Sequence, residues 1–176
     1  TSASPRARFS RFLDGATSRS SISKICFRRG APCCTSTRSS RGVLIDVAGF
    51  KGVEALPSEY IITPEDLQGA LARQGTELQF GDVVLIRTGT LRYWGEAGED
   101  QDKIGEHDTA GIQMPAARWL VEEKGAMMIG SDTSGLEQNA TPPAGSDSFM
   151  PVHNYLLIEQ GVHIAEFHYL EELATE

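Results

Sequence analysis

Three short apolar runs constrain this chain most: Val43-Leu44-Ile45-Asp46-Val47, Val83-Val84-Leu85-Ile86 and Ala126-Met127-Met128-Ile129-Gly130. A strand covered on one face alternates apolar with polar residues, whereas a strand covered on both faces reads as a continuous apolar run. Helix signals separate the runs. Thr63-Pro64-Glu65-Asp66 offers a capping hydroxyl, a proline for the first turn and two acids for the positive dipole end. Leu67, Ala70 and Leu71 follow at helical spacing, and Gly75 stops the helix. A second helix is predicted over Pro115–Lys124 and a third over Pro151–Gln160, closed by Gly125 and Gly161. Val162–His168 reads as a fourth strand and Leu170–Ala174 as a short closing helix, after a polar Pro/Gly-rich loop over Glu137–Met150. Alternating strands and helices with covered strands predict an α/β domain.

Charge divides the chain in two. Residues 1–42 carry nine Arg or Lys and the single acid Asp14, while the remainder carries seven basic and 23 acidic residues. Cys26, Cys33 and Cys34 also fall in the basic Ser/Arg-rich segment, at spacings that match no zinc motif. Three readings of residues 1–42 stay open: an organellar transit peptide, a disordered or added basic tail, or a stretch outside the native coding frame. The net charge of −8 argues against a general nucleic-acid binder. No apolar run approaches the roughly 18–20 residues of a membrane-spanning helix. A cysteine-free segment from 43 onward is compatible with a reducing, cytoplasmic setting, or an organellar one if residues 1–42 direct import.

In covered sheets, chemistry sits on the loops beyond the strand ends. The polar groups there are Asp46, Arg87, Thr88, Asp132, Thr133, His153 and Glu166. Period two places Val162, Ile164, Glu166 and His168 on one strand face, so Glu166 is either a metal-ligand or general-base carboxylate or a salt-bridged strand end. His153, after Pro151-Val152, is either a ligand or a satisfied structural histidine. Asp132 either lines a pocket or accepts backbone hydrogen bonds in a turn. Tyr93 and Trp94, in a Gly-rich loop, offer an aromatic wall or ordinary packing. His163 reads as structural or exposed and His107 as solvated. No H-x3-H, H-E-x-x-H, C-x-x-C, G-x-S-x-G, GxGxxG or Walker motif is present.

Several segments together resemble one family. Gly42–Ala48, Ile62–Leu67, Gly81–Gly89, Ile129–Thr133, Pro151-Val152-His153 and Ile164-Ala165-Glu166 are similar, in order over residues 42–176, to the cyclase family of metal-dependent hydrolases. That family includes arylformamidase (kynurenine formamidase) and isatin hydrolase. The resemblance implies a swivelling-type β/β/α domain with a mixed sheet, usually a homodimer, cleaving an amide or lactam C–N bond with Zn or Mn. It implies that His153 and Glu166 are metal ligands, while Asp132 and Trp94, from their loop positions, are the candidates for substrate contact. The implied substrate is a small amide such as N-formylkynurenine, placing the activity in tryptophan catabolism, with no role for nucleic acid or membrane.

The family's remaining ligands come from an upstream His-x-Gly-Thr-His-x-Asp motif and a further histidine that serves as acid/base. Residues 1–42 contain no histidine. The resemblance begins at Gly42, where the charge balance flips, which favours the lost-frame reading and an incomplete N-terminal portion. Two functions from different classes are therefore carried forward. One is an arylformamidase-like amidohydrolase, inactive as written unless a partner supplies ligands; the other is a catalytically silent remnant that dimerises as a binding or scaffold protein.

Overall fold

Strands β2 (Ser39–Asp46) and β4 (Val83–Arg87) form the centre of the sheet, and their pairing follows from the apolar runs. The two lie parallel with Val43 opposite Val84, Ile45 opposite Ile86 and Asp46 opposite Arg87. In this computed structural model the described residues are 22–26, 39–94, 100, 102, 109–138 and 150–176. The five-stranded sheet has the order β1-β2-β4-β6-β7, with β1 (Ile22–Cys26), β6 (Met128–Ser131) and β7 (His163–Ala165) as its other members. β1 runs antiparallel to β2 and the other pairs are parallel, so the sheet is mixed. A second, two-stranded parallel sheet joins β3 (Ile61–Ile62) to β5 (Gly111–Ile112). The expected mixed-sheet α/β class is observed.

Both faces of the large sheet are covered, which explains the absence of alternation. Val43, Ile45, Val84, Ile86 and Ile129 enter the main core with Leu67, Leu71, Ala117, Leu120 and Leu156 of the helices. Leu44, Val83 and Leu85 point the other way and pack on Leu170, with Leu173 and Ala174 alongside. Each such Val, Leu or Ile side chain, buried fully, contributes about 1.5–3 kcal/mol.

The helices start and stop where their signals lie. α1 (Val47–Lys51) begins at Asp46, whose carboxylate accepts from the Gly49 N–H at 2.9 Å. α2 (Pro64–Gln74) has a full capping box: the Thr63 hydroxyl accepts from Asp66 N–H, and the Asp66 carboxylate accepts from Thr63 N–H. It ends at Gly75, whose φ of 62° is the left-handed conformation glycine adopts without strain. α3 (Met114–Arg118) and α4 (Pro151–His153) each continue in wider, π-type turns, over Trp119–Glu123 and Asn154–Gln160.

Three expectations differ from the structure. Strand β1 lies inside the basic segment, where no regular element was expected, and β2 starts at Ser39, ahead of the charge boundary at Gly42. The last strand stops at Ala165 instead of running to His168. Its extension fails because Phe167 adopts a φ of 54° and its N–H turns aside to donate to the Thr133 carbonyl at 3.1 Å. Glu166 and His168 therefore do not share a strand face. His107, Cys33 and Cys34 lie outside the described residues. Among the described residues, no helix is long and apolar enough to cross a membrane.

At the opposite end of the sheet from the strand-end loops, Asp82 is buried and takes a paired contact from Arg41, Nε to Oδ1 at 2.9 Å and Nη2 to Oδ2 at 2.5 Å. Burial pushes the Asp82 carboxyl up, but the Arg41 hydrogen bonds, the Gln79 N–H and Arg41's charge outweigh it and hold it below its ordinary 3.8. A carboxyl lowered by folding stabilises the fold above its unfolded value, and that contribution disappears as pH falls through the lower folded value. Urea midpoints measured as pH falls below 3.8 should therefore drop less steeply in Asp82→Asn than in the parent. Parallel curves would refute the assignment.

Candidate active site

The strand-end loops of β4 and β6 are tied together by one carboxylate. Asp132, just beyond β6, is completely buried and accepts from the Thr88 N–H (2.8 Å), the Thr88 hydroxyl (2.7 Å) and the Gly89 N–H (2.7 Å). Burial raises its pKa, against the pull of those donors. Its occupied oxygens shape the loop from within, which is the turn-holding one of the two readings of Asp132. The same loop reaches forward: the Thr133 and Ser131 carbonyls accept from the N–H groups of Phe167 and His168, both at 3.1 Å. With the pairing of Ala165 to Gly130 on the other side, these contacts bracket Glu166 and fix where its side chain leaves the backbone.

His153 is delivered by α4. The residue at the helix start, Met150, has no side-chain acceptor, so the first N–H groups need one from elsewhere. Glu137 provides it. Its Oε1 accepts from Val152 N–H at 2.9 Å and its Oε2 from His153 N–H at 3.1 Å. Oε2 also lies 2.8 Å from the His153 ring Nδ1. The other ring nitrogen, Nε2, lies 3.3 Å from Glu166 Oε1. The imidazole thus bridges a buried and a half-buried carboxylate, their side chains 2% and 32% exposed. Its pKa is raised, chiefly by the Glu137 hydrogen bond, with burial opposing and Glu166 adding to the rise.

Glu137 itself is held by neighbouring backbone. Ile112 N–H donates to the Leu136 carbonyl and Gln138 N–H to the Ile112 carbonyl, both at 3.0 Å, so residues 136–138 lie alongside β5. Gly111 makes that approach feasible, since a Cβ there would come within 2.5 Å of the Leu136 carbonyl oxygen. By sequence Glu137 only opens the polar Pro/Gly-rich loop. The uncapped start at Met150-Pro151 was the signal that an outside acceptor was required.

The family resemblance pairs His153 with Glu166, and the two side chains lie 3.3 Å apart. Asp132 acts through the loop it holds, and Trp94 is 62% exposed at the end of the short helical turn Thr90–Tyr93. Tyr93 instead lines a cavity of about 240 Å³, together with Ala55, Leu56, Pro57, Ser58 and Thr90. Arg87 is also committed, donating to both oxygens of Glu171 at 2.9 and 2.8 Å and to Asp46 at 2.7 Å. His163 is exposed.

The donors of the pair decide what cation it could hold. A ring nitrogen whose partner nitrogen is anchored by a carboxylate, facing a second carboxylate, is a donor set that suits Zn or Mn. The number of donors is short. Among the described residues no group of three or more His, Cys, Asp or Glu is disposed to hold a metal, and His168 does not join the pair. Zinc in a catalytic site usually takes three protein ligands. His153 and Glu166 thus fit as one edge of a coordination shell.

Comparison with known proteins decides the family. A family model described as "Putative cyclase" matches residues 33–138, more than half of the chain. The chain belongs to the cyclase family. The match to the cyclase model starts ahead of Gly42, like β2 itself. A crystal structure described as a novel cyclase is 36% identical to this cyclase chain with a TM-score of 0.62, covering 76% of this chain and 42% of that one. Isatin hydrolase A from Labrenzia aggregata, bound to benzyl benzoate, is 20% identical with a TM-score of 0.52, covering 74% of this chain and 48% of its own. An isatin hydrolase bound to the product analogue thioisatinate is 18% identical with a TM-score of 0.55, covering 76% and 48%. At those identities the isatin hydrolases share the fold. The cyclase chain spans less than half the length of each of these relatives. No curated protein matches it.

Proposed function

We propose that this cyclase-family chain carries the His153–Glu166 part of a metal-dependent hydrolase site for amide or lactam C–N bonds, of the arylformamidase type, with N-formylkynurenine or a similar small amide as substrate. The observation that carries this reading is the His153 ring, anchored through Nδ1 by Glu137 so that Nε2 faces the Glu166 carboxylate. Membership of the cyclase family and the fold shared with isatin hydrolases support it. His153 and Glu166 would hold a divalent ion, Zn or Mn. When bound, such an ion polarises a carbonyl and acidifies water. The residues of this chain do the rest by position: Glu137 orients the ring, the Asp132-held loop sets Glu166, and the cavity beside Tyr93 offers space for a small organic molecule. Within the same reading the working unit is a homodimer in the cytoplasm, or in an organelle if residues 1–42 direct import.

A second reading has its own observation. With two donors among the described residues, a silent, dimerising scaffold also fits. Metal titration and turnover separate the two. The hydrolase reading expects stoichiometric zinc or manganese, lost on His153→Ala or Glu166→Ala, with hydrolysis of N-formylkynurenine or isatin. Metal bound without turnover of either amide selects the scaffold. A folded protein that takes up no metal overturns the metal site altogether.

A further inference from the structure

Glu137 serves two structures with one side chain. Its oxygens accept both free N–H groups at the start of α4 and also meet the His153 ring. We infer that Glu137 is a positioning residue, which fixes His153 as the tautomer protonated at Nδ1 and so turns the Nε2 lone pair toward Glu166. This inference rests on the cation-site reading above and extends it to a residue outside the ligand pair.

For the neutral ring the geometry requires that tautomer. An ionised carboxylate only accepts hydrogen bonds. Oε2 already takes the His153 N–H at 3.1 Å, so a ring nitrogen 2.8 Å from it has to be a donor. In the neutral ring the opposite nitrogen is then left with a lone pair, facing a carboxylate oxygen 3.3 Å away. Two such acceptors repel unless a positive charge lies between them; a proton supplies it in the imidazolium, and a divalent cation supplies it to the neutral ring. Glu137 has little freedom to do otherwise. Its residue is 5% exposed, the backbone on either side is paired with Ile112, and its second oxygen is occupied by Val152 N–H.

A purely structural cap would leave the ring free to choose its tautomer, and that difference is measurable without metal. In metal-free protein labelled with 15N-histidine, at a pH where the His153 ring is neutral, the expected spectrum shows Nδ1 protonated and Nε2 bare. Glu137→Gln has one acceptor oxygen for three N–H donors, and its amide group donates where the carboxylate accepted. The expected result is a shift of His153 toward the Nε2-protonated form and a zinc affinity lower by about 10–100-fold. Glu166→Gln is expected to weaken zinc binding while leaving the tautomer as in the parent. An Nε2-protonated ring in the parent, or an unchanged ring in Glu137→Gln, overturns the inference. The parent spectrum decides the matter even if the Glu137 variant fails to fold. Should the parent bind no zinc, the cation-site reading falls, while the tautomer still judges the role of Glu137 on its own.

Discussion

Replacing Arg87 with methionine should lower the unfolding free energy by about 3 kcal/mol, the low end of the range for removing one member of a buried ion pair. The low end applies because the partners, Asp46 and Glu171, keep 21% and 20% of their side chains exposed. Burial works against the Arg87 charge, and the hydrogen bonds from Arg87 to Glu171 and Asp46 outweigh it, raising its pKa. Methionine fills the volume but leaves two carboxylates, formerly bridged, facing each other across a position that is 8% exposed. Glu171→Gln, which keeps one acceptor and the Asp46 pair, should cost clearly less. Denaturant titration of both variants measures this, and an Arg87→Met cost below about 1 kcal/mol, the scale of an exposed pair, would refute it.

Asp132→Ala is expected to cost a similar amount by a different route. The change strands the Thr88 and Gly89 N–H groups, which now donate to the carboxylate at 2.8 and 2.7 Å, in a site without solvent. Each buried donor left unpaired costs about 1–3 kcal/mol, so a loss of about 3 kcal/mol follows. Gly89 cannot easily turn to find another acceptor. It sits at a φ of 84°, packed against the Glu54 carbonyl so closely that a Cβ there would fall within 2.1 Å of it. Asp132→Asn retains one acceptor oxygen and should lose less. Stability of Asp132→Ala equal to that of the parent would show that the loop is held by other contacts.

Much of this architecture was legible because the deciding signals are local. Continuous apolar runs announced strands covered on both faces, and Thr63-Pro64-Glu65-Asp66 carried its capping box in four consecutive residues. The meeting of His153 with Glu166 was reached through family resemblance, since their spacing alone carries no ligand signature. What stayed hidden was long-range. Glu137 reaches His153 only because residues 136–138 pair with Ile112, and no periodicity in the chain encodes that pairing. The shortened final strand was likewise set by carbonyls of Ser131 and Thr133, not by its own residues, whose alternation continues unbroken to His168. Arg87 stood among the polar strand-end groups, where a charge is ambiguous until its partners are known. Its partner Glu171 lies in a segment whose only visible feature was helical spacing.

The cover on the second face of the sheet has a consequence for how the protein is made. Leu44, Val83 and Leu85 are shielded there by Leu170, with Leu173 and Ala174 beside it. On a translating ribosome, β2 and β4 emerge long before that cover does, so the nascent sheet holds a greasy side open to other chains until residue 170 and its neighbours arrive. Slow synthesis across the intervening region would lengthen that exposure, making yield sensitive to codon choice and to chaperone supply even where the finished fold is sound.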